Sequence, residues 1–261
     1  MKLVLKIGGA ALENQELVAQ FCATVAALAK DGHQLLIVHG GGAALSRTLK
    51  QLGIEPKFVN GLRVTDAATR DVAVMVLGGL LNKQLAASIN ACGQPALGLC
   101  GSDLQVCVAR KKPLDQDLGF VGEISFVNES AIESLWSQKA VPVLASIASS
   151  LDGEFYNVNA DEMASAIASA CVADALIFLT DVPGVKNADG EVLSRLDLKQ
   201  IAALHSDGAV TGGMLPKLDA CKCALLAGVS SVRILQAAKV EVLRSLFHAP
   251  LDCGTELVAH V

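Results

Sequence analysis

The chain has 261 residues, 52% hydrophobic and 18% charged, which is long and apolar enough to bury a sizeable core and argues against disorder. Aromatic residues make up only 3%, so the base-stacking platforms of nucleic-acid binders are in short supply. The 26 acidic and 21 basic residues leave a net charge of −5 without a long basic run, which argues against a phosphate-backbone binder.

In chain order, Lys2 to Ile7 reads as a buried strand followed by Gly8-Gly9. A helix is predicted from about Glu13 to Lys30, ended by Asp31-Gly32. Gln34 to Val38 is a second strand, running into His39-Gly40-Gly41-Gly42, and a helix follows over about Ala43 to Leu52. Asn60-Gly61 between short apolar runs predicts a hairpin. Asp66 is placed to cap a long helix through about Ile89. Pro95 to Leu99 is strand-like, a hairpin is expected around Gly119 and Gly122, and Val141 to Ala145 is again a buried strand. Asn159 is placed to cap a helix over Ala160 to about Val172.

A second unit begins near Ala173, with Ala175 to Leu179 as a strand and Leu196 to about His205 as a short helix. Thr211-Gly212-Gly213 opens a helix through about Ala227. Val232 to Leu235 is a strand, Val240 to Phe247 a helix, and Thr255 to Val258 an edge strand closing the sheet. Strands alternating with helices predict a parallel α/β sheet with right-handed crossovers, shared by both units. There is no secretory-signal pattern and no uninterrupted apolar run of bilayer-spanning length. The eight Cys form no CxxC pair and read as small buried hydrophobes in a reducing cytosol.

Four places carry chemistry. The glycine turns after the first two strands lie at the carboxyl edge of the sheet, where open α/β sheets bind ligands. They serve either to bring backbone N–H groups close to an anion or simply to make a tight turn. Lys6 is a charge inside an apolar strand, either aimed at the ligand edge or snorkelling from an edge strand. Lys217, in the first turns of a predicted helix, is disfavoured by the dipole and calls for an anionic partner or plain solvation. Asn157-Val158-Asn159-Ala160-Asp161 enters an Ala-rich helix, where taken alone capping explains Asn159 and Asp161. No P-loop or nucleophile elbow is present, and the GxG at Gly40 lacks the third Gly of a dinucleotide fingerprint.

Together these segments resemble the amino acid kinase family. The likeness runs through KIGG (6–9), VHGGG (38–42), NGLRVTD (60–66), NVNAD (157–161), LTDVPGV (179–185) and TGGMLPK (211–217). It implies a three-layer αβα sandwich around a mainly parallel open sheet. It also implies two lobes: residues 1–172 for acyl-amino-acid binding and dimerisation, residues 173–261 for ATP. NGLRVTD and NVNAD are similar to the branch that phosphorylates the side-chain carboxylate of N-acetyl-L-glutamate in arginine biosynthesis. An ionised carboxylate is already a nucleophile, so the scarcity of His fits a reaction without a general base.

Carried over by position, the resemblance implies Lys6, Lys217 and Asp161 as the catalytic set, Asp161 orienting the two lysines. It implies Gly41, Gly42, Arg63 and Asn157 at the acyl amino acid, with Gly41 and the nucleotide-binding Gly9 donating N–H groups to phosphate or the reacting carboxylate. Nucleotide binding falls to Asp181, Val182, Pro183, Gly184, Val185 and Lys186, and to Ala209, Val210 and Thr211. Mg2+ is held mainly by phosphates and water, with no protein metal site. The chain begins at the first strand, and RILQAAK stands where arginine-inhibited members have a different turn. The expectation is an arginine-insensitive cytoplasmic homodimer, joined through the helix around Val72 to Leu81, with neither nucleic acid nor membrane as partner. A kinase for a one-methylene homologue, a non-catalytic amino acid sensor and a Rossmann oxidoreductase are the alternatives.

Overall fold

We describe the chain from a computed structural model, in residues 1–187, 189–206, 214–245 and 253–259. The strands in order are β1 (Lys2–Ile7), β2 (Gln34–His39), β3 (Phe58–Val59), β4 (Leu62–Arg63), β5 (Ala96–Leu99), β6 (Cys107–Lys111) and β7 (Val121–Val127). They continue with β8 (Val141–Ala145), β9 (Ile147–Ser149), β10 (Phe155–Val158), β11 (Ala175–Thr180), β12 (Arg195–Asp197), β13 (Ser231–Gln236) and β14 (Thr255–Val258). Eight of them form one sheet in the order β12-β14-β13-β11-β1-β2-β8-β5. All neighbours are parallel except β13 and β14.

Helices cover both faces, as continuous apolar strands require. The period of two in a strand sorts β1 cleanly. Leu3, Leu5 and Ile7 face a core built with Phe21, Val25 and Leu28 of the helix Gln15–Lys30 and with Leu85 and Ile89. Val4 faces the opposite core, made with Met163 and Ile167 of the helix Ala160–Ala170 and Leu218 and Cys221 of the helix Met214–Leu226. Lys6 shares the parity of Val4. Alternation alone therefore directs it toward the layer that carries Asp161 and Lys217.

Several expectations are revised. β1 lies at the centre of the sheet, between β11 and β2, so Lys6 is not an edge-strand lysine. Leu196 lies in β12, the sheet's edge strand, and β14 sits one place inside it. The residues 237–244, expected to be helical only from Val240, form a 3-10 turn, and Phe247 lies outside the described residues. The expected hairpin about Gly119 and Gly122 is β6 and β7. With β9 and β10 these form a separate small closed barrel, not part of the shared sheet.

The Asn60-Gly61 hairpin joins β3 to β4, with φ of 49° and 80° at the two turn residues, the primed-turn geometry that Asn-Gly favours. Asp66 caps the long helix by accepting from Thr69 N at 2.8 Å. That helix runs over Ala67–Ala91 and is long and apolar enough to cross a membrane, though the sequence contains no uninterrupted apolar run of that length. Half of its most apolar window is buried inside the protein, and Arg70, Asp71 and Lys83 lie along it. Its middle, Val74–Leu81, is π-helical, a geometry that recurs at functional sites.

Candidate active site

Three segments converge at the carboxyl edge of the central strands. β1 leads into Gly8 and a helical turn at Gly9–Leu12, β2 into Gly40 and the helix Gly42–Gln51, and β10 into the helix Ala160–Ala170. The glycines are where these segments touch. A Cβ on Gly9 would stand 3.1 Å from both Gly41 Cα and Gly42 N. One on Gly41 would lie 2.3 Å from Leu81 Cδ1 and 2.6 Å from Leu77 Cδ2 on the π-helical segment. A side chain at Gly9 would crowd the backbone of the second glycine turn, and one at Gly41 would require Leu77 and Leu81 to move.

Asn159 caps the helix Ala160–Ala170, its Oδ1 accepting from Asp161 N at 2.8 Å and Glu162 N at 3.2 Å. Capping fixes the first turn and turns the Asp161 carboxylate inward. Lys217 Nζ donates to Asp161 Oδ2 at 2.8 Å, and Lys6 Nζ stands 2.8 Å from Oδ1. The Lys6 contact is an ion pair outside hydrogen-bond alignment, since Oδ1 has no aligned donor. Ser165, one helical turn on, donates to Ala220 O at 2.8 Å and locks the two helices together. Lys217 Nζ also lies 5.2 Å from the centre of the Phe178 ring, and Phe178 is the β11 neighbour of Lys6.

All three charges are nearly buried. Burial pushes the Lys6 ammonium below its ordinary range; Asp161 opposes this and Lys217 adds to it. Burial pushes the Asp161 carboxyl up, but the two lysines together outweigh it and hold it below the usual carboxylate range. The cluster has two cations for one anion, so it retains one net positive charge at the sheet edge. An anion brought there is attracted strongly, because screening is weak out of water.

Beside the cluster is a cavity of about 170 Å3 lined by Gly40, Gly41, Gly42, Arg63, Ser146 and Asn157, among others. Arg63 is buried. Its Nη2 donates to Gly42 O at 2.9 Å and Ser46 Oγ at 2.8 Å, and its guanidinium lies 4.6 Å from the Phe58 ring centre. Its Nη1 is buried with no hydrogen-bond partner. Leaving a cationic donor unsatisfied is costly, and Arg63 is among the residues that line the cavity. Burial also pulls the Arg63 pKa below its ordinary value. Asn157 Nδ2 donates to Thr65 Oγ1 at 3.3 Å, and Thr65 Oγ1 donates to Arg63 O at 2.8 Å. The fit at Thr65 is close: a Cβ on Gly119, which has φ +76°, would meet Thr65 O at 2.2 Å.

The loop after β11 is less uniform than the sequence suggests. Asp181 and Lys186 are exposed, while Val182 and Pro183 are half-buried. Gly184 is buried, and a Cβ there would meet Thr255 Oγ1 and Val192 Cγ1, each at 2.7 Å. Val185 faces inward. Its side chain is in the core, its N–H donates to Thr255 Oγ1 and its C=O accepts from Leu193 N, both at 2.8 Å. It anchors the loop. Ala209, Val210 and Thr211 lie outside the described residues. Among the described residues, no three His, Cys, Asp or Glu side chains gather as a metal site.

Residues 1–236 match the family model described as the amino acid kinase family. The chain is 74% identical to the acetylglutamate kinase of Koribacter versatilis (strain Ellin345) over 261 residues, all of both chains.

The chain belongs to the amino acid kinase family.

It is also 55% identical to the acetylglutamate kinase of Acidobacterium capsulatum over 259 residues, covering 99% of this chain and 100% of that one. Among solved structures, the Streptococcus mutans UA159 protein smu.665 superposes with a TM-score of 0.83 at 30% identity, covering 99% of this chain and 98% of that one.

Within this family member, the polar residues that the motifs did not single out are Ser46, Thr65, His39 and Asn82. His39 stands inside VHGGG but reads there as one more scarce histidine. Asn82 follows the apolar run VMVLGGLL, and a lone Asn on a buried helix is the available signal. The cysteines divide. Cys22, Cys107, Cys171 and Cys221 are buried, whereas Cys92 and Cys223 are exposed and therefore are not core filler. Burial pushes the thiols of Cys22 and Cys171 up to about 12, leaving them inert as nucleophiles.

Proposed function

We propose that this chain transfers the γ-phosphoryl group of ATP to the side-chain carboxylate of N-acetyl-L-glutamate, as the second step of arginine biosynthesis. A carboxylate oxygen attacks the γ-phosphorus, the bond to the β,γ-bridging oxygen breaks, and ADP leaves with N-acetyl-L-glutamyl 5-phosphate formed. No proton moves, because a Glu-like carboxyl with a pKa of ~4.3 is ionised at neutral pH. The protein's work is alignment and charge stabilisation.

The observation that carries this reading is the pair of buried lysines on the Asp161 carboxylate, next in the chain to Asn159 and Ala160, which line a cavity that Arg63 also lines. Lys6 and Lys217 flank the transferred phosphoryl, and Asp161 keeps them apart and oriented. Gly9 and Gly41 donate backbone N–H groups to the phosphoryl or the reacting carboxylate, and Gly41 and Gly42 border the acceptor. Arg63, with its spare Nη1, takes the α-carboxylate as a planar fork suits, and Asn157 holds the acylated amine. Full-length likeness to acetylglutamate kinases supports the choice of acceptor.

ATP lies over the second lobe, residues 173–261, against Asp181, Val182, Pro183, Gly184, Val185 and Lys186, with Ala209 to Thr211 beside it and Gly9 at its phosphates. The acyl amino acid lies in residues 1–172. Mg2+ bound to ATP would be held mainly by phosphates and water and would neutralise phosphate charge, since Asp161 is paired with both lysines. The working unit is a cytoplasmic homodimer with no nucleic-acid or membrane partner. Exposed Met75 and Leu80 on the π-helical segment supply apolar surface for the dimer contact.

A hydroxamate assay for acyl phosphate, with ATP and a panel of acyl amino acids, tests the reading. N-acetyl-L-glutamate should give the highest kcat/KM. Preference for the one-methylene homologue would move the chain to that substrate, and no acyl phosphate with any of them would overturn the kinase reading.

A further inference from the structure

The polar pair His39 and Asn82 lies wholly buried beneath the glycine turn, at 0% exposure for each. The His39 ring reaches the carbonyl of the next residue, with Nδ1 2.8 Å from Gly40 O. A carbonyl only accepts, so Nδ1 carries the proton. The neutral ring then offers Nε2 as an acceptor, and Asn82 Nδ2 stands 3.1 Å away to donate to it. The same amide group donates to Val143 O at 2.8 Å and Leu99 O at 3.3 Å. Asn82 Oδ1 in turn accepts from Lys83 Nζ at 3.2 Å. Gly40 O fixes the His39 tautomer, and the two hydrogens of the Asn82 amide are shared among three acceptors, the contact to Leu99 O being the longest. Even the neighbouring strand is cut to fit, because a Cβ on Gly98 would lie 2.4 Å from Asn82 Oδ1.

This network ends on a peptide group that matters. In a planar trans peptide the N–H points opposite to the C=O. Holding Gly40 C=O down on His39 therefore turns Gly41 N–H up, toward the cavity that Gly40, Gly41 and Gly42 line. Glycine brings the backbone close to a ligand but also lets the peptide plane rotate. The turn needs an external constraint, and nothing in a Gly-Gly-Gly run can supply it.

We propose that His39, itself held by Asn82, is a positioning residue for phosphoryl transfer: it fixes the Gly40–Gly41 peptide plane so that Gly41 N–H is preorganised for the charge that develops in the transition state. It touches no substrate and transfers no proton. The inference rests on the reading of the site given above and names how one of its donors is aimed.

The test compares wild type with two variants, using hydroxamate formation from ATP and N-acetyl-L-glutamate and scaling rates to the folded fraction. His39→Asn keeps an amide N–H where Nδ1 was, and His39→Leu removes it. The expected result is a kcat about 30-fold lower for His39→Leu with both KM values within about threefold, and a kcat within about fivefold of wild type for His39→Asn. Equal kcat values for the two variants, or full turnover in folded His39→Leu, would overturn the inference. If His39→Leu does not fold, Asn82→Ala carries the test. It frees the ring edge and should lower kcat about tenfold at unchanged KM, whereas turnover within twofold of wild type would contradict the proposal. A wild-type chain inactive on N-acetyl-L-glutamate overturns the site reading and this inference together, while an active wild type with indifferent variants overturns the inference alone.

Discussion

At Lys6, Asp161 and Lys217 the charges are buried and paired across three elements, whereas at Asp181 and Lys186, on the loop leaving β11, the side chains stand in solvent. Both regions face the nucleotide in the proposed arrangement. The difference lies in the medium. A charge out of water interacts strongly but must be compensated, and one in water is screened and cheap to change. The loop is held by apolar and backbone contacts at Gly184 and Val185, so its exposed charges are free to vary. The cluster is held by its own charges and tolerates no such change.

The contrast is broken most severely at Asp161. Asp161→Ala leaves two lysines buried without a counter-charge and should cost about 3–5 kcal/mol of stability by urea unfolding at pH 7. A loss under about 1 kcal/mol would show that water reaches the pair. Acid attacks the buried network under the glycine turn next. Burial lowers the His39 pKa from 6.5 to about 4, so the unfolded chain takes up this proton first as pH falls. The stability His39 provides is complete above pH 6.5 and is lost on descending to about pH 4, a change of about 3 kcal/mol. Unfolding curves at pH 7 and 4 for wild type and His39→Asn measure it, the variant lacking this part of the slope.

Smaller effects are expected outward from there. Arg63→Ala removes charge-assisted hydrogen bonds to the acceptor and should raise the KM for N-acetyl-L-glutamate about 10- to 100-fold, with the KM for ATP little changed in initial-rate kinetics. A raised ATP KM with an unchanged acceptor KM would exchange the roles of the two lobes. Lys186→Ala, at an exposed position, should raise the ATP KM by less than about fivefold. An effect as large as that of Arg63→Ala would mean that the loop closes over its ligand and buries this charge.

Much of the molecule was legible because strand and helix patterns are local. Lys6 stood out as a charge in an apolar strand two residues before a glycine turn, but whether it faced the ligand edge or snorkelled from an edge strand was left open. Its central place in the sheet was not legible, since that depends on β11 pairing with β1 from across the chain. The small barrel was missed for a related reason. β9 and β10 have three and four residues, too few to show alternation, and only their partners make them strands. Leu196 to Asp197 read as a helix start because a three-residue edge strand runs directly into a helix. At the site, Arg63 and Asn157 were found through the motifs that contain them. The bond through Thr65 that ties them together, and the contact of His39 with Asn82, join residues far apart in sequence and leave no periodic trace. Val185 was placed with the nucleotide loop through the LTDVPGV motif, and its bonds to Thr255 and Leu193 are contacts that the motif does not show.

The most direct measurement is the single-turnover rate of Lys6→Ala and Lys217→Ala with ATP and N-acetyl-L-glutamate both saturating. If the paired lysines stabilise the transferred phosphoryl group, each variant slows at least ~100-fold while ATP affinity changes far less. Turnover near the wild-type rate in either variant would contradict the account.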